Sequence, residues 1–267
     1  MTSQSVVIIG TGLAGYMLAK EFRKLDKTTT MTLITADQGD FYSKPLLSTA
    51  LTQKKTPDQL AMSSAETMAE QLDAKVLTNT RVTRIGLKEK CVYLENDSVS
   101  YDRLVLACGA QPLLPTLLGD AAADVLSVND LESYAAFRRQ LAEKKKIAIL
   151  GSGLVGCEFA NDLLNAGYQV TIVSPDQMPL ERLTPKAVSE ALLGAFEEKG
   201  VNWRLKEWPV AVNYSGAGYQ INLKAGGSVQ ADLVLSAVGL RANTALAKSA
   251  GLEIDKGICV DRHLRTS

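Results

Sequence analysis

Twice in this chain an apolar strand runs straight into the pattern G-x-G-x-x-G and then into an amphipathic stretch. The first copy is Ser5-Val-Val-Ile-Ile-Gly10-Thr11-Gly12-Leu13-Ala14-Gly15, followed by Tyr16 to Leu25 with Leu18, Phe22 and Leu25 on one helical face. The second is Lys146-Ile-Ala-Ile-Leu-Gly151-Ser-Gly153-Leu154-Val155-Gly156, followed by a helix-like stretch to about Asn165. Each copy leads to a further strand, Met31 to Thr35 and Tyr168 to Val173, so both read as β-α-β units. In this fingerprint the first glycine permits the tight turn, the second lets backbone approach a pyrophosphate, and the third allows helix and strand to pack closely. The helix N-terminus then offers unpaired N–H groups to the phosphates. A single copy arises readily by chance. Two copies, each in the required strand–turn–helix context, point to an α/β chain with two Rossmann-like dinucleotide-binding units.

The rest of the chain supports a duplication. Arg103-Leu-Val-Leu-Ala107-Cys-Gly109 and Ala231-Asp-Leu-Val-Leu-Ser-Ala-Val-Gly239 both read as buried strands ending on glycine, in the same order after each fingerprint. Between the halves, Pro57 to Leu72 reads as a helix and Val82 to Tyr101 as short alternating strands. Gln111 to Asp124, with Pro112 and Pro115, reads as the linker. Asn129 or Asp130 can cap a helix to about Ala142. Thr184 is the expected N-cap of another, with Pro185 in its first turn and Gly200 at its stop. Short strands are expected up to Tyr214 and from Tyr219 to Leu223.

The fingerprint calls for an acid about 20 residues past its last glycine, on the ribose hydroxyls. Asp37 and Asp176 stand near that distance, each slightly beyond its strand end at Thr35-Ala36 or Ser174-Pro175. Each is either the ribose ligand or a solvated turn carboxylate. No arginine stands next to Ser174 in sequence, and Arg182 is well downstream, which favours NADH over NADPH.

Composition narrows the function classes. A formal net charge of zero carries no basic excess of the kind nucleic acids or membrane surfaces attract. The Lys144-Lys145-Lys146 run reads as a solvated element end. No apolar run approaches the ~18 residues of a membrane span. The start, Met1-Thr-Ser-Gln-Ser5, lacks the basic lead of a signal peptide. Cys91, Cys108, Cys157 and Cys259 form no Cys-x-x-Cys, so neither a zinc site nor a redox disulfide is expected, and a cytoplasmic location is. His263, the only histidine, reads as a surface residue, and Trp203 and Trp208 as core or rim. No Ser-His-Asp set or metal cluster emerges, and no side chain is expected to act as a covalent catalyst.

Further segments are Leu33-Ile-Thr-Ala-Asp37, Phe41-Tyr-Ser-Lys44-Pro45-Leu-Leu-Ser48, Gly151-Ser-Gly-Leu-Val-Gly156-Cys-Glu158-Phe-Ala-Asn-Asp162, Leu235-Ser-Ala-Val-Gly239-Leu-Arg and Gly257-Ile-Cys-Val-Asp261, of which Tyr-Ser-Lys-Pro and Cys-Glu-Phe-Ala-Asn-Asp are more specific than the glycines. They resemble the rubredoxin–NAD(+) reductases of the FAD-dependent pyridine nucleotide oxidoreductase family, over nearly the whole chain. The resemblance implies a FAD-binding unit in 1–112, an NADH-binding unit inserted as 113–240, and a return to the first unit in 241–267. It places Gly10 to Gly15 on the FAD pyrophosphate, with Ala36 and Asp37 at the adenosine ribose, Lys44 and Pro45 against the flavin, and Val82 at adenine. Ala107 to Gly109 form the second FAD loop in this scheme. Gly151, Gly153, Leu154, Val155 and Gly156 cradle NADH, with Asp176 and Gly239 completing the cofactor contacts. Glu158 stands where nicotinamide and flavin meet. Electrons then pass from NADH through flavin to rubredoxin or a similar small iron carrier, flavorubredoxin and ferredoxin being the alternatives. Ferredoxin reductases often carry a lysine after Leu-Ser, where this chain has Thr49. Family members also continue past the position of Ser267 into a Gly-Asp motif and a C-terminal domain. The expectation is therefore a truncated chain that holds FAD loosely or serves as a non-catalytic nucleotide-binding fragment.

Overall fold

The computed structural model describes residues 4–267, so the reading of the first three residues lies outside what is described. The chain divides into two compact units, and both are built to one plan. The first consists of residues up to Ser43, Ala61–Gln111 and Arg241–Ser267; the second of Lys44–Leu60 and Pro112–Leu240. Lys44–Leu60 thus groups with the second unit, although it lies between stretches of the first.

In the first unit, strands Lys75–Leu77, Thr30–Ile34, Ser5–Ile9 and Arg103–Leu106 form a parallel sheet in that order. In the second, Asn202–Leu205, Gln169–Ser174, Lys146–Leu150 and Leu233–Ser236 repeat the order. Parallel neighbours need crossovers, and a helix supplies the one between the fingerprint strand and the next: Leu13–Leu25 in the first unit, Leu154–Asn165 in the second. A three-stranded antiparallel meander precedes the last parallel strand in both, at Arg84–Ser100 and Pro209–Ala231. The two-residue period of the first strand decides which neighbour it meets. Val6 and Ile8 pack with Tyr16, Ala19, Met68 and Leu72 from the helices. Val7 and Ile9 point the other way, to Ile85, Val92 and Tyr101 of the meander. In the second unit Ala148 and Leu150 pack against Val212, Ile221 and Val229 of its own meander.

The duplication extends to a pair of aspartates that the fingerprint does not include. Asp102 accepts from the Ser5 N–H at 2.7 Å, and Asp232 from the Lys146 N–H at 2.8 Å. Each holds the start of its fingerprint strand against the start of the last parallel strand, and the backbone hydrogen bonds lower both carboxyls.

Five expectations need correction. The helix after the first glycine turn buries Gly15, Tyr16, Ala19 and Arg23, while Leu18 is exposed, Phe22 half-buried and Leu25 90% exposed. Tyr16 rather than leucine faces the sheet because small Gly15 and Ala19 let the helix approach closely. Pro57–Leu72 is not one helix but a 3₁₀ turn at Pro57–Leu60, a strand at Ala61–Ser63 and a helix at Ala65–Leu72. Ser64 breaks the run by capping, its hydroxyl accepting from the Thr67 N–H. Past Gln111 the expected linker is packed on the second unit, with Leu118 exchanging backbone hydrogen bonds with Val210 and Val212. The Lys186–Glu198 helix has Pro185, not Thr184, at its N-cap. In contrast, Asp130 caps Leu131–Leu141 with a full capping box through Ser133. The two glycine-terminated strands also differ: Leu233–Ser236 is buried, but Leu104–Leu106 only partly so.

Candidate functional site

Gly10 and Gly151 sit at the carboxyl ends of their strands with φ of +108° each, a region that L side chains rarely adopt. Their amides donate to Ile34 and Val173 of the neighbouring strand, both at 2.8 Å. A methyl on Gly10 would overlap the carbonyl oxygen of Ala107, and one on Gly151 that of Ala237. Gly15 and Gly156 face back onto the carbonyls of Gly10 and Gly151, which a methyl would also overlap. These four glycines are demanded by the turn and the helix packing.

Gly12 and Gly153 are not. Both have extended backbone, φ −63° and −74°, that any residue adopts. A methyl on either would meet nothing within 4 Å. Both are helix N-caps with no side chain to accept from the first-turn N–H groups, and neither helix carries an acid in its first turn. The first-turn residues Leu13, Ala14, Leu154 and Val155 are exposed. Each turn is therefore a shelf of helix N–H groups with its approach kept clear, at the carboxyl edge of a parallel sheet. Thr11 and Ser152, between the glycines, are buried beneath it.

The acids one strand over are aimed by local hydroxyls. Thr35 Oγ1 donates to Asp37 Oδ1 at 2.7 Å, and the Gly39 N–H reaches the same oxygen at 2.9 Å. Ala36 and Asp37 are exposed. Tyr16 donates to the Gly39 carbonyl at 2.6 Å; burial first, then the charges of Asp37, Asp40 and Glu66, hold its phenol well above the ordinary range. In the second unit Ser152 donates to buried Ser174, which touches Asp176 at 3.4 Å. Here the chain doubles back. Leu180, with φ +56°, donates its N–H to the Ser152 carbonyl at 2.9 Å. This return brings Arg182 to 3.1 Å from Asp176. Arg182, distant in sequence, is thus the cation beside the expected ribose acid.

Lys44–Ser48 forms a 3₁₀ turn of the second unit, with Lys44 and Pro45 exposed and Lys44 Nζ 3.3 Å from Asn129 Oδ1. Ser48 Oγ donates to Glu158 Oε2 at 2.7 Å. One helical turn on, buried Asp162 accepts the amides of Leu51 at 3.0 Å and Thr52 at 2.7 Å. Neither Ser48 nor Asp162 stood out as a site residue in the sequence; the i, i+4 spacing of Glu158 and Asp162 was the available signal.

The remaining expected positions fall at loop ends. Val82 packs partly on the meander cluster. The Ala107 N–H donates to Ile9 O at 2.8 Å, and the Gly109 carbonyl, at φ +67°, accepts from the Asn243 amide at 3.0 Å. Gly239, at φ +126°, accepts from the Leu113 amide. All four cysteines are free thiols, and burial pushes Cys157 up to about 11 and raises Cys108. Among the described residues no cluster of metal-ligating side chains occurs and no helix is long and apolar enough to cross a membrane. His263 is exposed, Trp208 is 55% exposed, and Trp203 stacks edge-on against Phe196.

Residues 4–267 match the pyridine nucleotide-disulphide oxidoreductase family. The chain is 46% identical over 263 residues to the rubredoxin–NAD(+) reductase of Alcanivorax borkumensis, covering 98% of this chain and 69% of that protein. It is 36% identical over 265 residues to the nitric oxide reductase FlRd–NAD(+) reductase of Aliivibrio fischeri, covering 99% of this chain and 69% of that protein. Among solved structures, the putidaredoxin reductase of a covalent complex with putidaredoxin superposes with a TM-score of 0.91 at 30% identity, covering all of this chain and 66% of that one.

Proposed function

Because the chain belongs to the pyridine nucleotide-disulphide oxidoreductase family, we propose that it carries the two dinucleotide sites of a FAD-dependent NADH reductase. Its electrons go to rubredoxin or a similar small iron carrier, and it works in the cytoplasm. The observation that carries the reading is the pair Gly12 and Gly153, which the fold itself does not require to be glycine. Residues that cost the chain conformational entropy without serving a turn or a packing contact are there to leave room for something else.

The first turn would hold FAD, its helix N–H groups from Leu13 onward offered to the pyrophosphate and Asp37 to the adenosine ribose. Ala36, Val82, Ala107 and Gly109 line the same carboxyl edge. The second turn would hold NADH, with Gly151 to Gly156 offered to its pyrophosphate and Asp176 and Gly239 as further contacts. When bound, the flavin and nicotinamide would supply the hydride and electron-transfer chemistry, and the protein would supply their placement. The chain's own part is orientation. Ser48 donates to the Glu158 carboxylate and fixes it; Glu158 would serve the nicotinamide, and Lys44 and Pro45 would be the residues offered to the flavin.

The rubredoxin reading rests on the higher identity to a rubredoxin–NAD(+) reductase, 46% against 36% for the flavorubredoxin-type relative. The two-site assignment is tested with Gly12→Leu and Gly153→Leu. The first is expected to lose bound flavin. The second is expected to bind FAD as wild type does, by flavin titration, while losing NADH binding. Equal loss of both ligands in a folded Gly153→Leu protein would refute the assignment.

A further inference from the structure

We propose that Tyr16 is a positioning residue of the first dinucleotide site: its buried hydroxyl holds the Asp37 turn so that one carboxylate oxygen is tied down and the other is left to an adenosine ribose. The inference rests on the reading of the first glycine turn as the FAD site.

Three hydrogen bonds make the connection. The Tyr16 hydroxyl donates to the Gly39 carbonyl at 2.6 Å, and Gly39 donates its own N–H to Asp37 Oδ1 at 2.9 Å. Thr35 Oγ1 donates to the same oxygen at 2.7 Å. Among the described residues nothing donates to Asp37 Oδ2, and Asp37 is exposed. Gly39 is buried at φ +76°, and a methyl on it would press on Thr78, Ala65 and Thr35, so the turn is closely walled. Tyr16 is fully buried and meets Phe41 edge-on, with ring centroids 5.5 Å apart. It also follows Gly15 directly, in the first turn of the Leu13–Leu25 helix. One side chain thus ties the helix end offered to a pyrophosphate to the acid offered to a ribose.

The duplicated plan does not ask for this tyrosine. In the second unit the residue after the third glycine is Cys157, whose thiol donates to Ser152 O at 3.4 Å and not toward Asp176. A small thiol satisfies the helix there, so the Tyr16 hydroxyl and its acceptor belong to the first unit alone. The phenol stays a donor, because burial, and then the charges of Asp37, Asp40 and Glu66, hold it well above its ordinary range. The same charges make the tie matter. Asp40 is raised by burial first and then by Glu66 and Asp37, so like charges crowd this turn and push its carboxylates apart. A carboxylate already held in its binding orientation spares the ligand the cost of ordering it.

The experiment is a double-mutant cycle on the flavin-stripped 267-residue chain, with the FAD dissociation constant read from flavin fluorescence and no turnover involved. The proteins are wild type, Tyr16→Phe, Asp37→Ala and the double variant, each first checked for a cooperative circular-dichroism melt. Tyr16→Phe keeps the ring and its contact with Phe41 and removes only the hydroxyl. Asp37→Ala is expected to weaken FAD binding by about ten- to 100-fold, the worth of a charged hydrogen bond. Tyr16→Phe is expected to weaken it by about threefold or more, and to weaken it no further once Asp37 is gone. A merely structural tyrosine would give the same loss in both backgrounds, and that result would overturn the inference. So would Tyr16→Phe binding FAD as wild type does, or a Tyr16→Phe chain that no longer folds, which would assign the hydroxyl to the fold. FAD binding unchanged in Asp37→Ala would remove the ribose assignment and the inference with it; a weakened Asp37→Ala without the coupling would sink the inference alone.

Discussion

The two kinds of glycine in each turn predict opposite outcomes for the same substitution. In Gly10→Ala the new methyl must sit at φ +108° and overlap the Ala107 carbonyl. The left-handed backbone costs about 1–2 kcal/mol and the overpacking about 1–3 kcal/mol more, so the loss is about 2–5 kcal/mol. At about 2–4 °C per kcal/mol for a domain of this size, Tm falls by about 4–20 °C. In Gly12→Ala the backbone is extended and the methyl touches nothing. Its only effect on the empty protein is to reduce the freedom of the unfolded chain, worth about 0.4–1 kcal/mol of added stability. Binding is affected the other way. A methyl in the pyrophosphate's approach costs about 1–3 kcal/mol, or about five- to 150-fold in FAD affinity. Flavin must be stripped before melting, because a bound ligand raises Tm by mass action and would confuse the two effects. The assay is therefore circular-dichroism melting of stripped protein, followed by flavin titration. Gly12→Ala melting as low as Gly10→Ala would refute the argument, as would a Gly12→Ala protein that binds FAD as tightly as wild type.

Two further predictions concern the second unit. Asp162→Ala removes the buried carboxylate that accepts from the half-buried Leu51 and exposed Thr52 amides, at a cost of about 1.5–3 kcal/mol. Tm should drop and trypsin should cut faster at Lys54 and Lys55, and an unchanged cleavage rate would show that Asp162 does not hold the segment. Cys157 donates to Ser152 O, and its thiol is pushed up to about 11 by burial and the Glu158 charge. At pH 8 it stays protonated and should resist iodoacetamide in the native protein while labelling fully in denaturant, as read by mass spectrometry. Rapid native labelling at pH 8 would contradict both its burial and its raised pKa.

Much of this protein was legible in its sequence because the information is local. A strand, a turn and a helix N-terminus are contiguous, so Gly10 to Gly15 and Gly151 to Gly156 announce their conformation within a dozen positions. The Asp130 cap and the short meander strands are equally local, and the repetition of landmarks revealed the duplicated plan. What the sequence could not determine depends on residues brought together from far along the chain. Leu18, Phe22 and Leu25 have helical spacing, yet Tyr16 and Ala19 are the buried face, because the sheet accepts a close approach at small residues rather than the most hydrophobic stripe. Ser48 and Glu158, or Leu51 and Asp162, are neighbours only after Lys44–Leu60 has packed on the second unit. Arg182 meets Asp176 only because one left-handed leucine turns the chain back. Sequence determined which backbone shapes recur, since φ/ψ preferences and side-chain period belong to each residue and its immediate neighbours. Tertiary structure decided which charges meet, since that depends on the path of the chain between them.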